Sequence, residues 1–324
     1  MTGRRGEPGE EAGVVAASVS PPLLPPPPPD GPPRRARPLP ARLAPGRVAA
    51  ERGEAREGLA WLGRPPEVRA SILVRSLAFL ARVVLLGVFR FRIRVEGREH
   101  LPRRGGYLVI AGAHRGWMDP FVVLDALPLQ PRAWFLGSGP SAFDRPWKER
   151  LLRRTGGILP VWRGGVSVDG HVASARAVLE RGGVFVQMPE GTVAGPPGRV
   201  GTFRSGAALI AIRTGAPIVP MAIAGTEELY VGKRLAARIL PATSAAERLG
   251  EAWPGSAPEA GSRAELDLAR ELSARLQADI GPVVEALYPW TLDPPTHRRW
   301  LRRPLTWLLL RRGPLDRSPA DAGR

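Results

Sequence analysis

The chain has 324 residues, enough for about two domains at roughly 150 residues each. It carries 47 Lys plus Arg against 30 Asp plus Glu, a formal charge of +17, and 44% of it is apolar, ample for a sizeable core. It has no cysteine, which excludes disulfides, thiol nucleophiles, iron–sulfur clusters and zinc sites built on thiolates. The basic excess calls for an anionic partner: nucleic acid, a membrane surface or a phosphorylated substrate. Its placement separates these. The net charge is +3 over residues 1–66, +6 over 67–110, +3 over 111–289 and +5 over 290–324. Most of the excess therefore flanks the middle of the chain. Basic flanks beside apolar runs fit an anionic membrane surface better than they fit the basic stripe of a nucleic-acid reader, and no nucleic acid is expected.

Residues 1–66 contain Pro21–Pro22, Pro25–Pro29 and Pro32–Pro33 with no helical or strand period, and read as a disordered leader with polyproline II character. Residues 67–89 change character. The run from Ala70 to Phe89 is about a bilayer in length, but Arg75 and Arg82 interrupt it. Two central arginines would cost a spanning helix about 2.5–3.5 kcal/mol each. They stand seven apart and share a helix face, so the segment reads as a helix lying in the membrane interface. A spanning helix and a buried soluble helix are the alternatives.

Phe89, Phe91, Ile93 and Val95 then alternate with Arg90, Arg92 and Arg94, a strand with one apolar and one cationic face. Tyr107–Ala111 reads as a buried strand. Helices near 120–127, 146–154, 169–181 and 203–214 alternate with strands near 157–162, 183–187 and 217–223. This is an α/β pattern, a mixed sheet flanked by helices with an N-terminal membrane-interface helix, its domain spanning 90–240. Residues 241–324 read as a helical extension. Ser262 and Glu265 form a capping box that opens a helix to about 279 or beyond, with Gly281-Pro282 as a candidate kink. Residues 297–312 set Trp300, Trp307 and Leu308–Leu310 between three Arg pairs. That stretch suits a membrane interface or a helix packed on the body.

Of the four histidines, His100, His114, His171 and His297, the second stands out as a candidate general base. His114 follows a buried strand, and ligand-handling residues in α/β folds gather at the carboxyl ends of strands. Gly112 and Gly116 permit tight turns around it. Asp119-Pro120 reads as an N-cap and first helical residue. Five residues apart on a continuous helix, His114 and Asp119 would point about 140° apart, but a turn between them lets the carboxylate reach the imidazole. The plainer alternative is that the two merely cap a strand and a helix. Gln187-Met188-Pro189-Glu190-Gly191-Thr192 ends another buried strand and should lie on the same sheet edge. Gly156 to Arg163 puts an Arg just past a strand, where it suits a phosphate. Ala216 to Pro220 is an apolar strand framed by prolines.

The order and spacing of these blocks resemble the four motif blocks of the glycerolipid acyltransferases, the 1-acylglycerol-3-phosphate acyltransferase family, over roughly residues 90–232. The His-x4-Asp spacing, Pro-Glu-Gly-Thr and the run Phe203 to Ala208 carry the likeness. It implies an O-acyltransferase in which His114 takes a proton from an acceptor hydroxyl and Asp119 orients it. Arg163, Glu190, Gly191, Thr192 and Arg204 would position the polar acceptor. The acyl donor would be acyl-CoA or acyl carrier protein and the acceptor a lysophospholipid. No bound cofactor and no metal are implied. The setting would be the cytoplasmic face of a membrane. Two positions depart from the family. Met188 replaces the usual aromatic before Pro-Glu-Gly, and Val193 replaces the usual Arg after the Thr, so Arg163, Arg199 or Arg204 would have to take over the phosphate. The alternatives are transfer to another lipid hydroxyl and a non-catalytic basic protein that binds membranes.

Overall fold

The structure, a computed structural model, describes residues 58–139, 143, 145–161, 168–191 and 196–292. Most of the proline-rich leader, and the tail from 293 with its Trp and Arg stretch, lie outside the described residues. Residues 58–66, assigned to the leader by composition, are folded. Gly58–Leu62 is a short helix (α1) whose Trp61 and Leu62 are buried, because they reach the core beside the outer strands.

Seven strands form one mixed sheet: β1 (Arg92–Glu96), β2 (Tyr107–Gly112), β3 (Ala133–Ser138), β4 (Ile158–Val161), β5 (Val184–Gln187), β6 (Ile218–Ala224) and β7 (Arg234–Ile239). Their order is β1-β7-β6-β2-β5-β3-β4. From β6 to β4 every pairing is parallel, whereas β7 runs antiparallel to β6 and parallel to β1. Strands β2 and β6 are buried along their whole length. This is why they read as unbroken apolar runs, as parallel strands covered on both faces do.

Two of the strands carry weak signals in the sequence. Strand β7 (Arg-Leu-Ala-Ala-Arg-Ile) is two-thirds alanine and arginine, residues with little strand preference, and it is held by β1 and β6 on either side. Strand β3 follows a Pro-rich turn and ends in Gly-Ser. The alternation read from Phe89 begins as a strand only at Arg92. The Phe91 N–H is taken by the Leu85 carbonyl at 3.0 Å, and Phe89 and Phe91 stack at 5.6 Å at the end of the preceding helix.

Alternate residues of β2 serve opposite faces. Leu108 and Ile110 pack with α1, α5 (Val168–Leu179), α6 (Gly206–Thr214), α7 (Ala245–Leu249) and α8 (Arg263–Thr291). Tyr107, Val109 and Ala111 pack with α3 (Asp119–Ala126) and with Leu85 and Leu86 of the π-helical turn Val83–Val88. Burial pushes the Tyr107 hydroxyl up to about 12, so it stays neutral. The α4 helix (Pro146–Thr155) joins β3 to β4.

Helix α2 (Ile72–Arg82) is capped by Ser71 and runs into a wider π-helical turn, Val83–Val88. None of its residues is buried, and Ile72 and Phe79 are 82% and 70% exposed. Among the described residues no helix is long and apolar enough to cross a membrane.

Helix α8 is an integral part of the core. Leu272, Leu276, Ile280, Val284 and Leu287, at helical spacing, are buried against the sheet and α6. The helix continues through Pro282 and Pro289 to Thr291. Half of the expected capping box is present: Ser262 Oγ accepts from the Glu265 N–H at 3.1 Å. The Glu265 carboxylate does not return to Ser262. It turns to the Gly261 N–H at 2.7 Å and to Arg213 of α6, where two parallel bonds of 2.6 and 2.7 Å form. This bidentate pair joins two helices and leaves Glu265 with no exposed surface. Asp169 of α5 pairs with the same guanidinium.

Hydrogen bonding to Arg213 holds the Glu265 carboxyl below its usual range. A depressed carboxyl adds stability that is present above its unfolded value, near 4.3, and lost as the pH falls through the folded value. Arg213→Ala should therefore cost about 3–5 kcal/mol in urea unfolding at pH 7, because it strands a buried carboxylate. The difference from wild type should shrink below about pH 4, where Glu265 becomes neutral. Arg213→Met with Glu265→Leu should recover most of the loss.

Candidate active site

The site is built at the carboxyl edge of β2 and β5, which lie side by side in the centre of the sheet. Strand β2 ends at Gly112 and β5 at Gln187, and Gln187 is in register with Ile110. His114 thus emerges two residues past one strand, and Glu190 three residues past its neighbour. A Cβ on Gly112 would lie 3.1 Å from Phe203 and 3.4 Å from Ile280, so the backbone there has close neighbours on the α8 side.

Between His114 and α3 the chain makes a tight turn around one carboxylate oxygen. Asp119 Oδ2 accepts from His114 Nδ1 at 2.6 Å, from the Arg115 N–H at 2.6 Å and from the Gly116 N–H at 2.8 Å. Asp119 is wholly buried, while the His114 side chain is 21% exposed. Asp119 is the first helical residue, with Met118 at the cap position, and its carboxylate points back onto the turn. The plain capping alternative therefore does not describe it. With Nδ1 engaged by a carboxylate, the ring carries its proton there and leaves Nε2 with a free lone pair.

Glu190, expected to position a polar acceptor, is engaged inside the protein. Its side chain is 2% exposed, and both oxygens are used inside the protein. Oε1 accepts from the His114 N–H at 2.7 Å and Oε2 from the Gly201 N–H at 2.9 Å. Burial raises its pKa, against those two hydrogen bonds and the nearby Arg115 charge. Glu190 is an anchor for the turn because its oxygens meet backbone donors there.

Gly191 sits in the left-handed region at φ +65°, and the exposed Arg204 side chain lies across it, its Cδ 3.2 Å from where a Cβ would be. The Arg204 N–H donates to the Pro189 carbonyl at 2.8 Å, which ties the start of the Phe203 to Ala208 run to the Pro-Glu-Gly turn. The structure therefore brings together His114, Asp119, Glu190, Gly191 and Arg204. Arg163 and Thr192 lie outside the described residues, as does Val193.

Sequence reasoning passed over Arg115, whose side chain is 3% exposed and sits between the His114 and Glu190 turns. The available signal was a charged residue inside a turn bounded by a buried strand and an apolar helix. It also passed over α8, whose Gln277 accepts from the Phe203 N–H at 2.8 Å and whose Ser273 hydroxyl donates to the Arg204 carbonyl at 3.3 Å. The concavity lined by Pro65–Ser71 and Arg181 is at the amino ends of β3 and β5, away from His114. Among the described residues no group of three or more His, Asp or Glu could hold a metal ion.

Fold and site together define an α/β protein with a buried carboxylate holding a histidine at the carboxyl edge of a mixed sheet. Residues 92–224 match the family model Acyltransferase. Among solved structures the chain is similar to the crystal structure of the 1-acyl-sn-glycerophosphate (LPA) acyltransferase PlsC from Thermotoga maritima. The identity is 20% over 66% of this chain and 79% of that one, with a TM-score of 0.47. No curated protein matches the chain in sequence.

If Asp119 fixes the His114 ring, Asp119→Asn should turn a single Nδ1–H tautomer into a mixture. The nitrogen-15 shifts of the His114 imidazole report this directly. Unchanged shifts would mean that the carboxylate does not set the tautomer. The variant should also lose about 1–3 kcal/mol of stability, since the amide cannot serve three N–H donors as the carboxylate does.

Proposed function

We propose that the protein is an O-acyltransferase that moves a fatty acyl group from an acyl thioester to the free hydroxyl of a lysophospholipid, with 1-acylglycerol-3-phosphate as acceptor and phosphatidate as product. The observation that carries this reading is the 2.6 Å contact between His114 Nδ1 and the buried Asp119, which leaves Nε2 as a base at the edge of an acyltransferase-family domain. His114 Nε2 takes the proton of the acceptor hydroxyl as its oxygen attacks the thioester carbonyl. The tetrahedral intermediate collapses, the carbon–sulfur bond breaks, and the imidazolium returns the proton to the leaving thiolate. Asp119 balances the imidazolium charge during these steps. The donor is acyl-CoA or acyl carrier protein. Arg204, exposed beside Gly191, is suited to grip the acceptor phosphate, with Arg163 and Thr192 as further candidates.

The same reading sets the enzyme on the cytoplasmic face of a membrane. Support comes from α2, where Ile72, Phe79, Leu80 and Val83 are exposed on a helix that also bears Arg75 and Arg82. Such a helix suits the interface of an anionic bilayer.

A second acceptor class is favoured by one residue. Val193 stands where the family usually has an Arg, which fits a headgroup less dependent on phosphate contacts.

Purified protein should transfer a labelled acyl group from a thioester to lysophosphatidate, and His114→Ala should be slower by about 10²–10⁴-fold. Equal transfer by the two proteins would refute the role of His114. Arg204→Ala should raise the KM for lysophosphatidate more than that for a neutral monoacylglycerol. A wild-type preference for the neutral acceptor would instead favour the second class. Phe79→Asp with Leu80→Asp should weaken pelleting with anionic vesicles, and added salt should weaken the wild type.

A further inference from the structure

The Arg115 side chain is a buried charge whose partners come from three segments. Its guanidinium lies 3.5 Å from Glu190 Oε2 and donates to the His114 carbonyl at 3.3 Å. It also donates to the Pro196 carbonyl at 3.0 Å and to the Arg199 carbonyl. Glu190 completes the junction, because its two oxygens hold the N–H groups of His114 and Gly201. A further tie joins the 196–204 loop to the Pro-Glu-Gly turn, the Arg204 N–H to the Pro189 carbonyl at 2.8 Å. The Gly198 N–H goes to Glu227 and the Phe203 N–H to Gln277. Arg115 and Glu190 therefore link the base to this loop. The loop carries Arg199 and Arg204, both exposed.

From this junction, and resting on the acyl-transfer reading above, we infer that Arg115 is a positioning residue that sets acceptor specificity. It holds the loop cations at a fixed distance from His114, so that the anionic group of the acceptor and its hydroxyl fit the site together. The side chain and the backbone of Arg115 do separate work. The contact to Asp119 is made by the backbone N–H, so replacing the side chain spares the carboxylate that holds His114. The geometry also explains why Arg is used. A planar guanidinium reaches several carbonyls in a fixed fork, which an ammonium cannot do.

The test compares wild type, Arg115→Met and Arg115→Lys, all in the full chain. Lysophosphatidate and a neutral monoacylglycerol serve as acceptors. For Arg115→Met the KM for lysophosphatidate should rise about tenfold or more while kcat changes by less than about threefold. The KM for the neutral acceptor should move by less than about threefold, and the pH dependence of its kcat/KM should stay that of wild type. Arg115→Lys should recover part of the loss. Should Arg115→Met fail to fold, Arg115→Lys keeps a charge beside Glu190 and should show the same split at smaller amplitude. Hydrogen exchange at the amides of Gly201 and Arg204 should quicken in either variant. Proportional losses for both acceptors, wild-type kinetics, or unchanged exchange at those amides would each overturn the inference. If the wild type acylates no acceptor, the acyl-transfer reading itself fails. Binding of glycerol 3-phosphate then decides the inference: a loss of about tenfold in Arg115→Met supports it, and equal binding overturns it.

Discussion

Burying a carboxylate is costly unless its charge is met by well-placed donors, and the turn after β2 is organised around meeting it at Asp119. One oxygen accepts from three consecutive residues, His114, Arg115 and Gly116. Three adjacent donors can converge on one atom only if the chain curls around it, so satisfying Asp119 dictates the shape of the turn. The ring orientation of His114 follows from that shape. So does the inward path of Arg115, whose charge is then met by Glu190 and by carbonyls of the next loop. Each buried ion in the site compensates its neighbour, and removing one leaves another exposed to a low-dielectric interior.

The sheet makes this arrangement possible by ending two parallel strands side by side. Because β2 and β5 are adjacent and run the same way, the loops that follow them meet above one edge. The C-terminal helix completes the frame from one face. It packs Leu272, Leu276 and Ile280 into the core and supplies Gln277 and Ser273 to the backbone of the 203–204 segment. Arg213 and Glu265 fasten its first turn to α6. Residues far apart in the chain therefore hold the 203–204 side of the site.

The proposed membrane contact is connected to the same centre. Arg82 of α2 pairs with Asp125 of α3 at 2.9 Å, and α3 begins at Asp119. Leu85 and Leu86, in the π-helical turn that follows α2, pack against the core face that α3 covers. A helix suited to an interface and the helix that presents the buried carboxylate are thus joined by one ion pair and a shared apolar cluster.

The opening excess of positive charge divides in the same way between what sequence reveals and what it hides. Local pattern was enough for the alternation of strands and helices, for the motif blocks and for the pairing of His114 with Asp119, because each depends on residues within a few positions of one another. It also sorted most of the charge into the flanks. Strand β7 was not legible, since Arg-Leu-Ala-Ala-Arg-Ile becomes a strand through its neighbours β1 and β6. The surroundings of Glu190 were not legible, because a carboxylate in a Pro-Glu-Gly turn looks exposed until Gly201 and Arg115 close over it. Composition placed Trp61 in a disordered leader, and it is buried because β4 and α5 lie beside it. Sequence by itself determined the motif blocks and the pairing of His114 with Asp119, through short-range spacing and residue type. The tertiary structure decided which charges face solvent and which are buried and paired, because burial depends on elements that meet only when the sheet has formed.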